Sequence, residues 1–281
     1  MNYKQNSSEW DMGICIFCQK NSDSSKSVEH IIPESLGNKD IILPKGVVCD
    51  TCNQYFATKV EKPLLESTYF QNVRFRNHIL SKKGRSTPGK ALIPHLKGGW
   101  VDLYSDEHGF SLNIENPDII NIIRENKVNK MIVEVAKEPI KNNYIMSRFL
   151  AKTALESLAF IGLGDKNWLE EVRNMKELDP LRRYARYGEG KQWIYHQRRI
   201  YGEEVRFTDP IRHPEPYEVL HEMDFLYIDP GIYYYVLVIM GVEFVINCGA
   251  SELDLFNDWL EKNYQISPIR RGSEKMIQKG P

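Results

Sequence analysis

Apolar positions recur at helical spacing over 145–161, where Met146, Phe149, Leu150, Ala154, Leu155, Leu158 and Ile161 stand among good helix formers and Gly162 and Gly164 supply a stop. A core helix is predicted there. Ile119, Ile120, Ile122 and Ile123 after Pro117 predict a shorter helix, and the alternation of Met131, Val133 and Val135 predicts a strand. Farther on, 225–228, 233–240 and 242–248 are rich in aromatic and β-branched residues, and Asp229-Pro230-Gly231 and Gly241 separate them. That is the punctuation of an antiparallel meander. Ser251, with Asp254 three residues on, has capping-box spacing for a last helix whose Leu253, Phe256, Trp259 and Leu260 would cover the sheet. The most apolar run, 232–246, contains Glu243 and falls short of the roughly 20 apolar residues that a membrane-spanning helix needs.

Helices mixed with an antiparallel sheet make the class α+β. The chain has 281 residues, which exceeds the usual size of one domain. Its hydrophobic share of 42% and charged share of 27% are ordinary for a folded protein. Lys and Arg number 37 against 38 Asp and Glu, so attraction to a polyanion has to come from local clustering. The charge is indeed uneven. Residues 1–66 hold seven Lys, no Arg and nine acids, whereas 67–101 hold Arg74, Arg76, Lys82, Lys83, Arg85, Lys90 and Lys97 and no acid. Within that stretch 81–99 is rich in Gly, Pro and Ser, which reads as an exposed loop that either serves as a solvated connector or tracks a polyanion. Residues 1–11 lack the basic and apolar segments of a secretory signal, so a cytoplasmic protein is expected.

Four of the five cysteines form two pairs, Cys15-x-x-Cys18 and Cys49-x-x-Cys52. Two such pairs close a tetrahedral four-thiolate site, so structural zinc is expected rather than disulfides or redox chemistry. The surrounding segment of about 50 residues has few large apolar side chains, and metal binding would contribute its folding free energy. Cys248, at the end of a predicted strand, reads as a buried small apolar residue.

Between the pairs lies Val28-Glu29-His30-Ile31-Ile32-Pro33-Glu34-Ser35-Leu36-Gly37-Asn38, and Asn53 directly follows the second pair. An acidic-His-Ile-Ile-Pro element inside a zinc-knuckled segment, closed by Cys-x-x-Cys-Asn, resembles the HNH endonuclease family over about 13–65. The resemblance implies a ββα-metal, treble-clef domain that cleaves phosphodiester bonds. His30 matches the family's general base, and Glu29 and Asn53 match the two ligands of its catalytic ion. These residue types suit the chemistry: a His titrates near neutrality, and hard oxygen ligands suit Mg²⁺ or Mn²⁺. Asn53 is expected to open a helix running to about Lys62 before Pro63. The sequence departs from the pattern in three places. Glu29 stands where Asp is usual, 42–48 offer no middle Asn or His (so that Asn38 or a backbone carbonyl would orient His30), and Ala57 stands where a further helical His would bind. A zinc-stabilised treble clef that binds nucleic acid or protein without cutting is the alternative.

Residues 181–201 hold Arg182, Arg183, Arg186, Lys191, Arg198 and Arg199 against Glu189 alone, interleaved with Tyr184, Tyr187, Trp193, Tyr195 and Tyr201. Basic plus aromatic residues are a nucleic-acid signature, with Arg clamping phosphates and rings stacking on bases. The same pattern also fits a solvated helix face with its aromatics in the core. With Lys82, Lys83 and Arg85, these arginines are the candidate contacts. No phosphate loop, nucleophile elbow or nucleotide fingerprint is present. The expectation is an HNH nuclease domain over 1–66, a basic linker over 67–101, and over 102–281 an α+β accessory domain that grips DNA, dimerises or senses a ligand or partner protein. Structural Zn²⁺, catalytic Mg²⁺ or Mn²⁺, DNA or RNA as substrate and a role in defence or mobile-element biology complete it. One such core cuts one strand, so double-strand cleavage calls for a homodimer.

Overall fold

The amino-terminal elements are short, two strands of two residues each and a helix of seven. In a computed structural model that describes residues 13–81, 84–94, 98–106, 109–114, 116–125, 127, 130–209, 213–229, 231–270 and 276–278, the chain begins with β1 (Glu29–His30), β2 (Ile42–Leu43) and α1 (Asp50–Phe56). A π-helical turn over Ala57–Glu61 leads into α2 (Lys62–Leu65) and then α3 (Thr68–Arg76). Next come β3 (Gly89–Leu92), β4 (Trp100–Asp106), β5 (Gly109–Asn113), α4 (Pro117–Arg124) and β6 (Ile132–Val133). Helices α5 (Tyr144–Ile161), α6 (Lys166–Asn174) and α7 (Asp179–Tyr187) precede β7 (Tyr195–Arg199), β8 (Arg206–Asp209) and β9 (His213–Tyr217). The chain closes with β10 (His221–Asp229), β11 (Ile232–Ile239), β12 (Val242–Asn247), α8 (Asp254–Lys262) and β13 (Met276–Gln278). Residues 1–11, Lys82, Lys83, Lys97 and Pro230, which entered the sequence reading, lie outside the described residues. Among those described, no helix is long and apolar enough to cross a membrane.

Two compact units divide the chain, one made of Met1–Ile32, Lys39–Glu61 and Asn142–Pro281, the other of Pro33–Asn38 and Lys62–Lys141. In the first, the predicted meander is an antiparallel sheet of order β10-β11-β12-β7. Tyr234 pairs with Asn247 and Ile239 with Val242 across a turn at Met240-Gly241. The six residues of β12 are buried, because α8 packs Leu253, Phe256 and Leu260 against Tyr234, Val236 and Val245, while α5 also packs against β12. The capping box does not form: α8 starts at Asp254, Leu253 occupies its cap position without a side-chain bond, and Asn247 Oδ1 instead accepts the Gly249 and Ala250 N–H groups. Helix α5 is as predicted, capped by Asn143 Oδ1 on the Met146 N–H. A small sheet, β13-β8-β9, packs Phe207 with Tyr201 and Val238.

The second unit has the sheet order β5-β4-β3-β6, with Ala91, Ile93, Val101 and Leu103 packed beside Ile119 of α4 and Phe75 of α3. Within the loop expected at 81–99, residues Gly89–Leu92 are instead a strand. Gly89 read as a loop residue, yet it is a strand position, and a Cβ there would lie 3.1 Å from the Phe75 ring, so its small size makes room for packing. Part of the basic stretch 67–101 belongs to elements: Arg74 and Arg76 lie on α3, and Lys90, on β3, pairs with Asp102. Arg85 remains exposed. Helix α4 follows Pro117 as predicted, capped by Asn116, while the strand at 131–135 shortens to Ile132–Val133.

Candidate active site

The four cysteine sulfurs lie within 4.8 Å of one another, and Cys18 Sγ is 3.7 Å from Cys49 Sγ. Four sulfurs held about 2.3 Å from one zinc at tetrahedral angles stand about 3.8 Å apart, so the spacing fits that ion. Two local features build the cluster. The turn 15–18 carries the first pair, and Cys49 occupies the cap position of α1 with its N–H on Cys15 Sγ at 3.4 Å, which puts Cys52 one turn inside the helix. A bond with the Cys52 thiol, opposed by burial, draws Cys15 down to about 5, whereas burial pushes Cys18 up to about 11 and the Cys15 contact and burial push Cys52 up. A bound metal ion removes such differences by deprotonating its thiol ligands.

Beside this cluster β1 pairs antiparallel with β2, Glu29 opposite Leu43 and His30 opposite Ile42, and α1 follows, giving the order ββα. Asp50, in the first turn of α1, accepts the N–H groups of Lys26 and Ser27 and the Ser27 hydroxyl, and thereby ties the chain ahead of β1 to the helix. Asn53 Nδ2 donates to the Val28 carbonyl at 2.9 Å, one residue before Glu29. Asn53 sits one turn inside α1 rather than opening it, because the helix starts at Asp50. Nor does Pro63 end the helical path: the π-helical turn widens the chain just ahead of a residue that cannot donate and whose ring crowds the carbonyl four residues back.

Adjacent strand residues face opposite ways. His30 is half-buried, while Glu29 turns inward, its side chain 5% exposed, to Lys152 Nζ at 2.8 Å. The same ammonium meets Glu61 at 2.8 Å and Glu156 at 2.9 Å. Burial raises the Glu29 and Glu156 carboxyls, against the pull of Lys152. Burial by itself would lower Lys152, but the carboxylates of Glu156, Glu29 and Glu61 raise it well above the usual lysine value, so it stays charged. Among the described residues Glu29 Oε2 has no hydrogen-bond partner, and the engagement of Asn53 Nδ2 leaves its Oδ1 as an acceptor. Carboxylate and amide oxygens are the kind of hard ligand that suits a Mg²⁺ or Mn²⁺ ion.

Lys152, Glu156 and Glu61 were missed by the sequence reading. The available signal was Arg148, Lys152 and Glu156 at intervals of four inside an otherwise apolar helix, one stripe of buried charge. Arg148 bonds the Tyr55 hydroxyl at 2.8 Å. The candidate nucleic-acid contacts fare unevenly. Arg182 is buried and donates to the carbonyls of Ile16, Met175 and Val172 and to Asp179, so it has no face for a phosphate. Arg198 pairs with buried Glu243, and Arg199 donates to the Tyr201 and Met240 carbonyls. Arg186 donates to Cys52 Sγ at 3.3 Å and lies over the Tyr55 ring, where it offsets thiolate charge. Arg183 is exposed and paired with Glu189. Tyr184, Trp193, Tyr195 and Tyr201 are buried, the arrangement expected of aromatics in a core.

Searches of curated proteins and of solved structures return no match. The model of a family described as HNH endonuclease matches residues 15–68, the stretch that contains both cysteine pairs, Glu29-His30 and Asn53. This ββα segment with its four clustered cysteines is thus similar to the HNH endonuclease family over 15–68 within a longer α+β chain, and the likeness points to nuclease activity in general.

Proposed function

We propose that the protein is a metal-dependent endonuclease that hydrolyses phosphodiester bonds of DNA, with His30 as general base and Glu29 and Asn53 as ligands of one divalent ion. The observation that carries this reading is the Asn53 bond to the Val28 carbonyl, which brings α1 of the family segment alongside the Glu29-His30 strand. His30 takes a proton from water, the general-base role to which an imidazole is suited. The hydroxide forms a bond to phosphorus while the bond from phosphorus to the 3′ oxygen breaks, leaving a 5′-phosphate and a 3′-hydroxyl. A divalent ion supplies charge neutralisation on the phosphate and on the departing oxygen. The four-cysteine site holds structural zinc and takes no part in the reaction. Arg85 and Arg183, both exposed, are the arginines we assign to the phosphate backbone. Cleavage of both strands would use two copies of the chain, and restriction, antiviral defence or mobile-element propagation in the cytoplasm are settings that fit.

Supercoiled plasmid incubated at low salt with Mg²⁺ or Mn²⁺ tests the reading. Wild type should nick it, and His30→Ala and Asn53→Ala, checked to be folded and zinc-loaded, should be slower by about 10²–10⁴-fold, the usual yield of a positioned acid or base. Plasmid retained in a gel shift but left uncut by wild type with either ion would instead identify a binding module.

A further inference from the structure

Helix α5 lies well outside the family segment, yet it delivers a cation to the segment's central strand. Lys152 Nζ, with its side chain fully buried, has five oxygen neighbours. Two belong to Glu61 and Glu156 at 2.8 and 2.9 Å. The other three lie on consecutive residues of one strand and its exit: Glu29 Oε1 at 2.8 Å, the His30 carbonyl at 3.2 Å and the Ile31 carbonyl at 3.3 Å. An ammonium with three protons grips all of these only by sharing them, and its desolvation costs several kcal/mol unless anions surround it. A brace between two elements would need one carboxylate and no particular backbone atom. Here the cation engages the residue assigned to the divalent ion and the backbone of the residue assigned as base. It engages Glu29 through Oε1, and among the described residues Oε2 has no hydrogen-bond partner.

We propose that Lys152 is a positioning residue of the nuclease centre. By clamping Glu29 through Oε1 and the strand through the His30 and Ile31 carbonyls, it presents Oε2 to the divalent ion and holds the His30 backbone in register. The proposal deepens the nuclease reading and rests on it. A hydrogen-bonded partner one shell out from a metal ligand changes metal affinity or activity by about 10–100-fold when removed. The opposite arrangement, in which Lys152 withholds Glu29 from the ion, predicts the opposite sign.

The test uses the full-length, zinc-loaded chain and Mn²⁺ as the probe, with free Mn²⁺ followed by electron paramagnetic resonance. Lys152→Met alone leaves three carboxylates facing one another, so it is also made in a Glu61→Gln, Glu156→Gln parent that removes two of them. Asn53→Ala marks which Mn²⁺ belongs to this site. The expected result is that adding Lys152→Met to that parent weakens the Asn53-dependent Mn²⁺ by about 10–100-fold. The Mg²⁺ needed for half-maximal plasmid nicking should rise by a similar factor, with zinc content and Tm retained. Equal Mn²⁺ affinity in the two proteins would overturn the proposal, and tighter binding after Lys152→Met would overturn it in favour of a latch. Lys152-dependent Mn²⁺ binding in a wild type that cuts no plasmid would uphold the positioning and sink the nuclease reading. No Asn53-dependent Mn²⁺ in wild type would sink both.

Discussion

Arg182 and Arg183 are neighbours in sequence and opposites in environment, and substituting each by Ala separates folding from binding. Arg182→Ala removes the donors to the Ile16, Val172 and Met175 carbonyls. Met175 keeps the Leu178 N–H, so two carbonyls, those of Ile16 and Val172, lose the bond that Arg182 makes. At about 1–3 kcal/mol for each buried group left unpaired, the loss is roughly 2–6 kcal/mol. The Asp179 contact adds little, since that carboxylate is partly exposed. For a unit of this size roughly 2–4 °C accompanies each kcal/mol, so Tm should fall by roughly 4–24 °C. Ile16 lies between Cys15 and Cys18, so zinc retention should weaken with it. Arg183→Ala removes only an exposed pair with Glu189, and its stability should stay within about 0.5 kcal/mol of wild type. Scanning fluorimetry with zinc analysis and a gel shift on both variants decides the matter. If Arg182→Ala keeps its Tm and its zinc yet loses DNA more than Arg183→Ala does, the structural assignment of Arg182 is wrong.

Three further outcomes are expected. Cys52→Ser, or a strong chelator, should take bound zinc from about one ion per chain to near zero and expose the segment to proteolysis, because metal binding there is folding free energy; a segment that stays protected without metal would contradict this. Gly241→Ala should be costlier than Gly231→Ala: both carry positive φ, a strain of roughly 1–2 kcal/mol for Ala, but at Gly241 the new Cβ also lies 2.6 Å from the Tyr201 carbonyl, whereas Gly231 has open space, so equal falls in Tm would count against the packing described. Full burial holds the Glu156 carboxyl well above its usual value despite Lys152 beside it. A raised folded-state pKa stabilises below the unfolded value of about 4.3, and that contribution is lost as pH climbs through the folded value. Glu156→Gln should therefore gain in Tm on wild type as pH rises from acid to neutral, and a pH-independent difference would speak against it.

The chemistry of the amino-terminal segment was legible because it is written in residue types at short spacing. Two Cys-x-x-Cys pairs and a Glu-His followed by Asn need no tertiary information to be read as metal and proton sites, and the clustering of the four cysteine sulfurs supports the first of these. The helix at α5 and the sheet β10-β11-β12 were equally readable, since burial on one face imposes its period on the sequence. Gly89 misled because glycine marks a loop in sequence and close packing in a sheet, and only the Phe75 ring distinguishes them. The arginines of 181–201 misled for a related reason. A guanidinium bonds a phosphate or a backbone carbonyl with the same donors, and whether Arg182 meets solvent or the Ile16 carbonyl depends on how α7 packs. Residue types at short spacing were thus enough to locate the four-cysteine metal site and the likeness to a nuclease family. Packing settled that Lys152, 122 residues from His30, reaches that residue's carbonyl: spacing of four marks a charged stripe on α5 but not the distant strand it meets, because a charge leaves water only where the packing of the first unit surrounds it with anions.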